Sequence, residues 1–173
     1  MTQQCHSIPY GVNLRFFGRD HELHFLKTAL HPQHDTQLRA VGIHGLGGIG
    51  KTQLALQYAN TSLDFYHVIA WIPAHTKSNI VHAISRLAKR LELADEAKGD
   101  GNHRHNVVKV REWLNITGKP FLLIFDDVNN IEHLEQIVSI KSEYLFFSLS
   151  RLGNSTALEP PDAALPNTHG RQT

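Results

Sequence analysis

The chain reads Gly45-Leu46-Gly47-Gly48-Ile49-Gly50-Lys51-Thr52 within its first third. Two glycines five residues apart, followed by lysine and a hydroxyl residue, form the pattern of a phosphate-binding loop. An apolar run at residues 40–43 precedes this stretch, and a helical pattern at residues 53–59 follows it. Because the motif needs a strand before it and a helix after it, the pattern predicts a strand–loop–helix unit that binds phosphate.

Each residue type in this stretch has a chemical reason. Glycine adopts positive φ without strain, so successive backbone N–H groups can turn towards a phosphate chain. The helix that follows adds its unpaired first N–H groups and the positive end of its dipole. Lys51 supplies a mobile cation for the β- and γ-phosphates, and the Thr52 hydroxyl is placed to ligate Mg²⁺. The alternative is a glycine-rich turn without a ligand, which the flanking strand and helix disfavour.

Composition narrows the class of protein. With 17 basic and 16 acidic side chains, the 173-residue chain has a formal charge of +1. This balance argues against a protein that binds nucleic acid or a membrane surface through its overall charge. The lone cysteine, Cys5, cannot form an internal disulfide, which fits a reducing compartment. The apolar runs are too short for a membrane span, and residues 1–10 lack the layout of a signal peptide. We therefore expect a soluble, cytoplasmic protein.

A buried acidic strand is predicted downstream of the loop. Residues 121–125 are consecutive apolar side chains, and Asp126 and Asp127 follow them directly. Such a run predicts a parallel strand buried on both faces, and in open α/β sheets ligands bind beyond the carboxyl ends of the strands. Asp126 is thus placed to hold Mg²⁺, and Asp127 to orient or deprotonate an attacking water. The alternative is an Asp-Asp turn that closes the strand, which the phosphate loop upstream makes weaker.

The remaining periodicity predicts further elements of an α/β sheet. Helices are expected at about 20–30, 51–62, 80–91, 107–114 and 131–138, and strands at 66–72 and 144–151. Asp20 is expected to cap the first helix. Pro73 is expected to end the strand at residues 66–72. Arg151 ends the last strand beside the acidic one, where a guanidinium could reach a γ-phosphate; a plain surface arginine is the alternative.

Three segments show no such periodicity. Residues 1–14 are predicted to be a leader or linker, and residues 152–173 a disordered tail. Residues 95–106 are predicted to be a solvated loop. Its His103 and His105 could instead bind a metal, but no further ligands nearby complete a set.

Together these segments resemble the NB-ARC nucleotide-binding domain of NOD-like receptors (NLRs), a branch of the STAND class of P-loop ATPases, in its filamentous-fungal form. The resemblance covers residues 15–151 and rests on the order and spacing of five motifs. These are Phe17-Gly18-Arg19-Asp20, residues 45–52, Val68-Ile69-Ala70-Trp71-Ile72-Pro73-Ala74, residues 122–128 and residues 147–151. A generic ATPase would share the loop and the aspartates, but not usually the Gly-Arg and Ala-Trp-Ile-Pro segments.

The resemblance implies a doubly wound parallel α/β sheet of the P-loop NTPase fold, ASCE type (additional strand, catalytic acid). ATP or ADP with Mg²⁺ is the implied cofactor, with the segment around Arg19 against the adenine end. The implied metal ligands are Thr52 and Asp126, and the implied catalytic residues are Asp127 and Lys51. The implied nucleotide-binding residues are Phe17, Gly18, Arg19, Gly45, Leu46, Gly47, Gly48, Ile49, Gly50, Lys51, Thr52, Gln53 and the phosphate sensor Arg151.

The chain departs from the family pattern after residue 151. The family continues with a fifth strand, a helical subdomain and a winged helix, of which residues 152–173 show no trace. We therefore expect residues 15–151 to be a partial domain, truncated after the sensor strand, with a fold that is incomplete at its C-terminal end. The missing fifth strand would leave the phosphate-loop strand on an exposed edge. Leu149 also stands where a hydroxyl residue is common.

Three functions follow as hypotheses. The first is the switch that the family implies, in which ADP holds a closed state and ATP permits oligomerisation and signalling, with slow or absent hydrolysis. The second is a small-molecule or nucleotide kinase, which is disfavoured because residues 73–95 carry helix packing in place of an acceptor site. The third is a non-enzymatic decoy or partner domain that pairs with itself or with related NLR-like proteins through the exposed sheet edge.

Overall fold

The computed structural model describes residues 4–32, 39–94, 102–130, 132–137 and 145–150. The helices in these ranges are α1 (Asp20–Leu30), α2 (Lys51–Asn60), α3 (Lys77–Arg90), α4 (His103–Ile116) and α5 (Glu132–Ile137). The strands are β1 (Cys5–Ser7), β2 (Arg39–Ile43), β3 (Val68–Pro73), β4 (Phe121–Val128) and β5 (Leu145–Ser150). A short 3₁₀ helix, Leu63–Phe65, precedes β3.

These strands form one parallel sheet in the order β1-β3-β4-β5-β2. The phosphate-loop strand β2 pairs with β5, which separates it from the acidic strand β4. This is the additional strand that the ASCE type requires, so the predicted fold class is confirmed. Among the described strands, β2 forms one edge of the sheet and β1 forms the other.

Helices cover both faces of the sheet. One core packs α3 and α4 against Val68, Ala70 and Ile72 of β3 together with residues 121, 123, 125 and 128 of β4. The other core packs α1 and α2 against the alternate residues of the same strands, such as Ile69 and Leu122. Successive side chains of a strand point to opposite faces, so β3 and β4 are buried on both sides. The sheet is therefore doubly wound, and the carboxyl ends of its strands lie along one edge.

Strand β1 corrects the prediction that residues 1–14 form a linker. Residues 5–7 pair in parallel with residues 68–70 of β3, and Cys5 is buried. His6 Nε2 also lies 3.0 Å from the carbonyl oxygen of Tyr66. A strand of three residues is too short to show an alternating pattern, so pairing with β3 decides its conformation.

Helix α4 corrects the prediction of a solvated loop at residues 95–106. The helix already begins at His103, whose Nδ1 lies 3.0 Å from Ser85 Oγ on α3. Asn106 is buried and donates from Nδ2 to the same oxygen at 2.8 Å. Because Ser85 satisfies these polar side chains inside the α3–α4 contact, a polar sequence can lie in a packed helix. Residues 95–101 lie outside the described residues.

The ends of other elements also differ from the predictions. The residue that precedes α1 is Arg19, in a left-handed conformation with φ of 60°, so Asp20 lies in the first helical turn instead of capping it. Strand β3 includes Pro73, which pairs with Asp126 at its end. The last strand is confirmed over Leu145–Ser150, whereas Arg151 and the predicted tail lie outside the described residues.

Candidate functional site

The glycine-rich loop leaves the carboxyl end of β2 and enters α2. Three of its glycines have positive φ: 146° at Gly45, 82° at Gly48 and 90° at Gly50. Gly50 is the residue that precedes α2. A Cβ atom at Gly45 would meet only the end of the Ile49 side chain, which can turn aside, so the φ of 146° is what favours glycine at this position. The loop therefore has the positive-φ glycines that the sequence pattern predicts.

Lys51, the first residue of α2, folds back onto this loop. Its Nζ donates to the carbonyl oxygens of Gly45 at 2.7 Å and Leu46 at 2.8 Å. The ammonium group thus lies over the mouth of the loop, at the positive end of α2. A lysine ammonium has three rotatable donors, so it can exchange carbonyl oxygens for the oxygens of a phosphate.

Thr52 connects the loop to the acidic strand. Its Oγ1 donates to Oδ1 of Asp126 at 3.2 Å, across 74 residues of sequence. Asp126 reaches this position because it lies near the carboxyl end of β4, in register with Pro73 at the end of β3. Both residues are predicted metal ligands from the sequence, and the structure brings them together.

The donor set fits a magnesium ion. Mg²⁺ binds hard oxygen ligands and is usually held by one or two protein side chains together with phosphate oxygens and water. A hydroxyl and a carboxylate in contact at the mouth of a phosphate loop are such a pair. Among the described residues, no three histidine, cysteine, aspartate or glutamate side chains come together as a larger metal site.

Asp127 lies beside Asp126 but faces different partners. Its backbone is left-handed, with φ of 61°, at an irregularity of β4 between Phe125 and Val128. Its Oδ2 lies 3.2 Å from Nδ1 of His75, and Asn129 Nδ2 lies 2.6 Å from the same nitrogen. Neither His75 nor Asn129 was predicted from the sequence. A signal was present, since His75 follows the end of β3 closely and neighbouring parallel strands end at one edge.

Arg19 contacts the loop itself. Its Nη2 donates to the carbonyl oxygen of Ile49 at 2.6 Å, and its Nη1 lies 3.7 Å from Oε1 of Glu22. Gly18 before it is also left-handed, with φ of 71°, so the Gly-Arg pair makes the turn into α1. Phe17 is 97% exposed. The segment that the resemblance assigns to the adenine end thus lies next to the phosphate loop, joined to it by Arg19.

The preceding residues run along α2. Asn60, at the end of α2, donates from Nδ2 to the carbonyl oxygen of Tyr10 at 3.0 Å. Asn13 donates to Oε1 of Gln53, in the first turn of α2, at 3.0 Å. The chain from Tyr10 to Arg19 therefore follows α2 from its last turn to the loop. Asn13 was missed by the sequence analysis because its partner is distant in sequence.

Two observations define the class of protein. A glycine-rich loop joins a parallel strand to a helix, and an aspartate at the end of a nearby strand contacts the threonine of that loop. The fold is also similar to that of Cdc6p from Pyrobaculum aerophilum, with a TM-score of 0.61 and 15% identity, over 83% of this chain and 41% of that one. The chain has the α/β fold of P-loop NTPases.

Sequence comparison identifies the family. The profile of the NB-ARC domain matches residues 19–144, so the chain belongs to the NB-ARC domain family, a family of nucleotide-binding P-loop modules. A nucleotide-binding leucine-rich repeat (NLR)-like protein of Hyaloscypha variabilis is 29% identical over 137 residues, 76% of this chain and 13% of that protein. Disease resistance protein RUN1 of Vitis rotundifolia is 28% identical over 141 residues, 78% of this chain and 10% of that protein.

The matched region is a small part of these relatives. The chain spans only 13% and 10% of the length of the two proteins named above. The matched residues include the loop, Thr52 and both aspartates. Within the described residues, no helix combines the length and the apolar character needed to cross a membrane.

Proposed function

We propose that this chain is an ATP/ADP-binding, Mg²⁺-dependent switch module of an NLR-like signalling ATPase, with slow or absent ATP hydrolysis. One observation carries the proposal: the 3.2 Å contact of Thr52 with Asp126 joins the phosphate loop to the acidic strand. A glycine-rich turn without a ligand would not need a carboxylate at its threonine. Membership of the NB-ARC family supports nucleotide as the ligand.

In the proposed site, the loop backbone and Lys51 bind the phosphates. Lys51 exchanges the carbonyl oxygens of Gly45 and Leu46 for β- and γ-phosphate oxygens, which carry more negative charge. Thr52 and Asp126 hold Mg²⁺, which supplies charge neutralisation on the phosphates. Asp127 orients or deprotonates the attacking water. By resemblance, Arg151 senses the γ-phosphate and the segment from Phe17 to Arg19 lies at the adenine end.

The switch follows from a difference in affinity. A ligand shifts an equilibrium between two states only by the ratio of its affinities for them. ADP and ATP differ by the γ-phosphate, which in the proposed site faces Lys51 and Asp127. We propose that ADP favours a closed state and ATP an open one that signals. Because ATP and ADP are plentiful in the cytosol, we place the module there.

The first experiment identifies the nucleotide. The purified chain is denatured and the released small molecules are separated by ion-exchange chromatography. We expect ADP, close to one per chain, and slow replacement by ATP when Mg²⁺-ATP is added in excess. A chain that carries no nucleotide and takes up neither ADP nor ATP at millimolar concentration would overturn the proposal.

Self-association is a second property that one observation favours. Strand β2 lies at an edge of the described sheet, and edge strands present backbone groups that can pair with a further strand. We propose that copies of this chain, or related NLR-like proteins, pair along β2. Sedimentation velocity over a range of concentrations should show dimers, which excess peptide of the β2 sequence should dissociate and a scrambled peptide should not. A chain that stays monomeric with ADP and with ATP would refute this pairing.

A further inference from the structure

The backbone of Asp127 is held in an unusual conformation. In β4, Phe125 pairs with Ser148 of β5 and Val128 pairs with Ser150, so two aspartates stand opposite one residue of β5. Such a bulge turns a side chain away from the regular strand direction. Asp127 absorbs the irregularity with φ of 61°, a conformation that non-glycine residues adopt only when their surroundings hold them there.

His75 lies beside the Asp127 carboxylate, and Asn129 lies beside His75. His75 follows the end of β3, the strand next to β4, and its Nδ1 lies 3.2 Å from Asp127 Oδ2. Asn129, just after β4, lies 2.6 Å from the same nitrogen. The side chain of Asp127 is 30% exposed and that of His75 is 59% exposed. The group is thus open to a ligand at the carboxyl edge of the sheet.

The hydrogen positions follow from what each group can do. Nδ1 of His75 lies at an ion-pair distance of 3.2 Å from Asp127 Oδ2, and an ionised carboxylate only accepts hydrogen bonds, so His75 can bond to Asp127 only in the form with a hydrogen on Nδ1. Nδ1 then cannot accept from Asn129, which must turn its amide so that Oδ1 faces the imidazole. The oxygen and nitrogen of such an amide are assigned from their partners, so this orientation is the consistent one. In that form, His75 donates through Nδ1 and stands between Asp127 and Asn129.

We propose that His75 is a positioning residue that directs the Asp127 carboxylate towards the attacking water. The inference rests on the proposed function and deepens it. In the step concerned, the water oxygen bonds to the γ-phosphorus as the bond to the bridging oxygen breaks, and that electron pair leaves on ADP. The proton of the water goes to Asp127. Catalysis of this kind depends on the geometry of the carboxylate, which His75 fixes from the segment just after β3.

Three substitutions of His75 separate positioning from general structure. The side-chain amide nitrogen of asparagine reaches roughly the position of histidine Nδ1, and that of glutamine reaches roughly the position of Nε2. His75→Asn should therefore keep most of the hydrolysis rate. His75→Ala and His75→Gln should each lower kcat about tenfold, the size expected for loss of one partly exposed hydrogen bond to a charged group. The KM for ATP and the dissociation constant for ADP should stay unchanged in all three.

A measurement without turnover tests the contact itself. Long-range ¹H–¹⁵N NMR of the full chain should show His75 with its proton on Nδ1, and Asp127→Ala should remove that preference. His21→Ala, which changes an exposed histidine on α1, is the control for both experiments and should alter neither result.

The outcomes are separate from those of the proposed function. The inference is overturned if Nδ1 of His75 carries no proton, if His75→Gln and His75→Asn behave alike, or if His75→Ala hydrolyses ATP at the wild-type rate. It is also overturned if the wild-type chain binds ADP and ATP but does not turn ATP over, and nucleotide binding then still stands. Absence of nucleotide binding overturns the proposed function first, and the NMR result still decides whether His75 holds Asp127.

Discussion

The hydroxyl of Tyr66 connects the segment before β3 to α1 and α2, the two helices whose first residues lie at the phosphate loop. It donates to the carbonyl oxygen of Leu30 at 2.6 Å, at the end of α1, and lies 2.8 Å from the hydroxyl of Tyr58 on α2. Because Tyr66 uses its only hydrogen on Leu30, Tyr58 must be the donor to Tyr66. Tyr58 is 2% exposed and Tyr66 is 1% exposed, and burial raises the pKa of both phenols. The other end of α1 carries the turn that places Arg19 on the loop.

The perturbation is Tyr66→Phe, compared with Tyr58→Phe. Tyr66→Phe strands two buried groups, the Leu30 carbonyl and the Tyr58 hydroxyl, at about 1–3 kcal/mol each when unsatisfied. Partial relaxation sets the expected loss near 2–4 kcal/mol of unfolding free energy. Tyr58→Phe leaves the bond from Tyr66 to Leu30 in place and should cost only about 0.5–1.5 kcal/mol. For a chain of this length, the difference corresponds to several degrees in Tm.

Urea unfolding followed by circular dichroism measures both losses. The free energy of unfolding of the double variant should lie within about 0.5 kcal/mol of that of Tyr66→Phe. Tyr58 has already lost its hydrogen-bond acceptor in Tyr66→Phe, so its own replacement adds little. Tyr10→Phe is the matched control, since Tyr10 is 69% exposed, and it should change stability by less than about 0.5 kcal/mol. Equal losses in the two single variants, or losses that simply add, would refute the hydrogen-bond order.

Three further predictions concern the site and the pH dependence of stability. Thr52→Val should abolish the increase in ATP affinity that Mg²⁺ produces, and the ATP affinity measured in EDTA should change by no more than about twofold. If Mg²⁺ still increases the ATP affinity of this variant, Thr52 is not a metal ligand. Asp127→Asn should lower any ATP hydrolysis at least about tenfold and keep ATP bound; loss of Mg²⁺-dependent binding instead would show that Asp126 and Asp127 have exchanged roles. The pKa of His67 is lowered from 6.5 by burial and by the nearby Lys119 and His6. At pH values below 6.5, His67 therefore binds fewer protons in the folded state than in the unfolded state, and the free energy of unfolding should fall as the pH drops. Replacing His67 by Asn should reduce this slope in pH-dependent urea unfolding, and an unchanged slope would contradict the assignment.

The sequence predicted the parts of the site that local patterns encode. The loop between β2 and α2 follows from glycine spacing, and the apolar run before Asp126 predicts a buried parallel strand. Parallel strands end at one edge, which is why Thr52 and Asp126 could be expected to meet before their contact was known. The edge position of β2 among the described strands was expected from the family resemblance and not from a local pattern.

The remaining features depend on contacts between distant residues. Strand β1 has no sequence pattern of its own and forms by pairing with β3. The contacts of Arg19 with Ile49 and of His75 with Asp127 each involve a residue outside the helices and strands, and spacing in the chain does not specify which side chains meet there. The polar residues at the start of α4 led to the prediction of a loop. The sequence does not show that Ser85 on α3 provides their hydrogen-bond partner. The roles of Arg19, Lys51 and Asp127 with a nucleotide, like that of Arg151, stay predictions.

The central claim is that residues 45–52 bind the phosphates of a nucleotide through the loop and Lys51. Isothermal titration of ADP into nucleotide-free protein, wild type against Lys51→Ala, tests it most directly. Lys27→Ala, which removes an exposed lysine on α1, is the matched control, and circular dichroism establishes that each variant is folded. We expect Lys51→Ala to weaken ADP binding at least about tenfold, as loss of a charge-assisted contact implies, and Lys27→Ala to leave it unchanged. An ADP affinity that is the same in wild type and Lys51→Ala would contradict the claim.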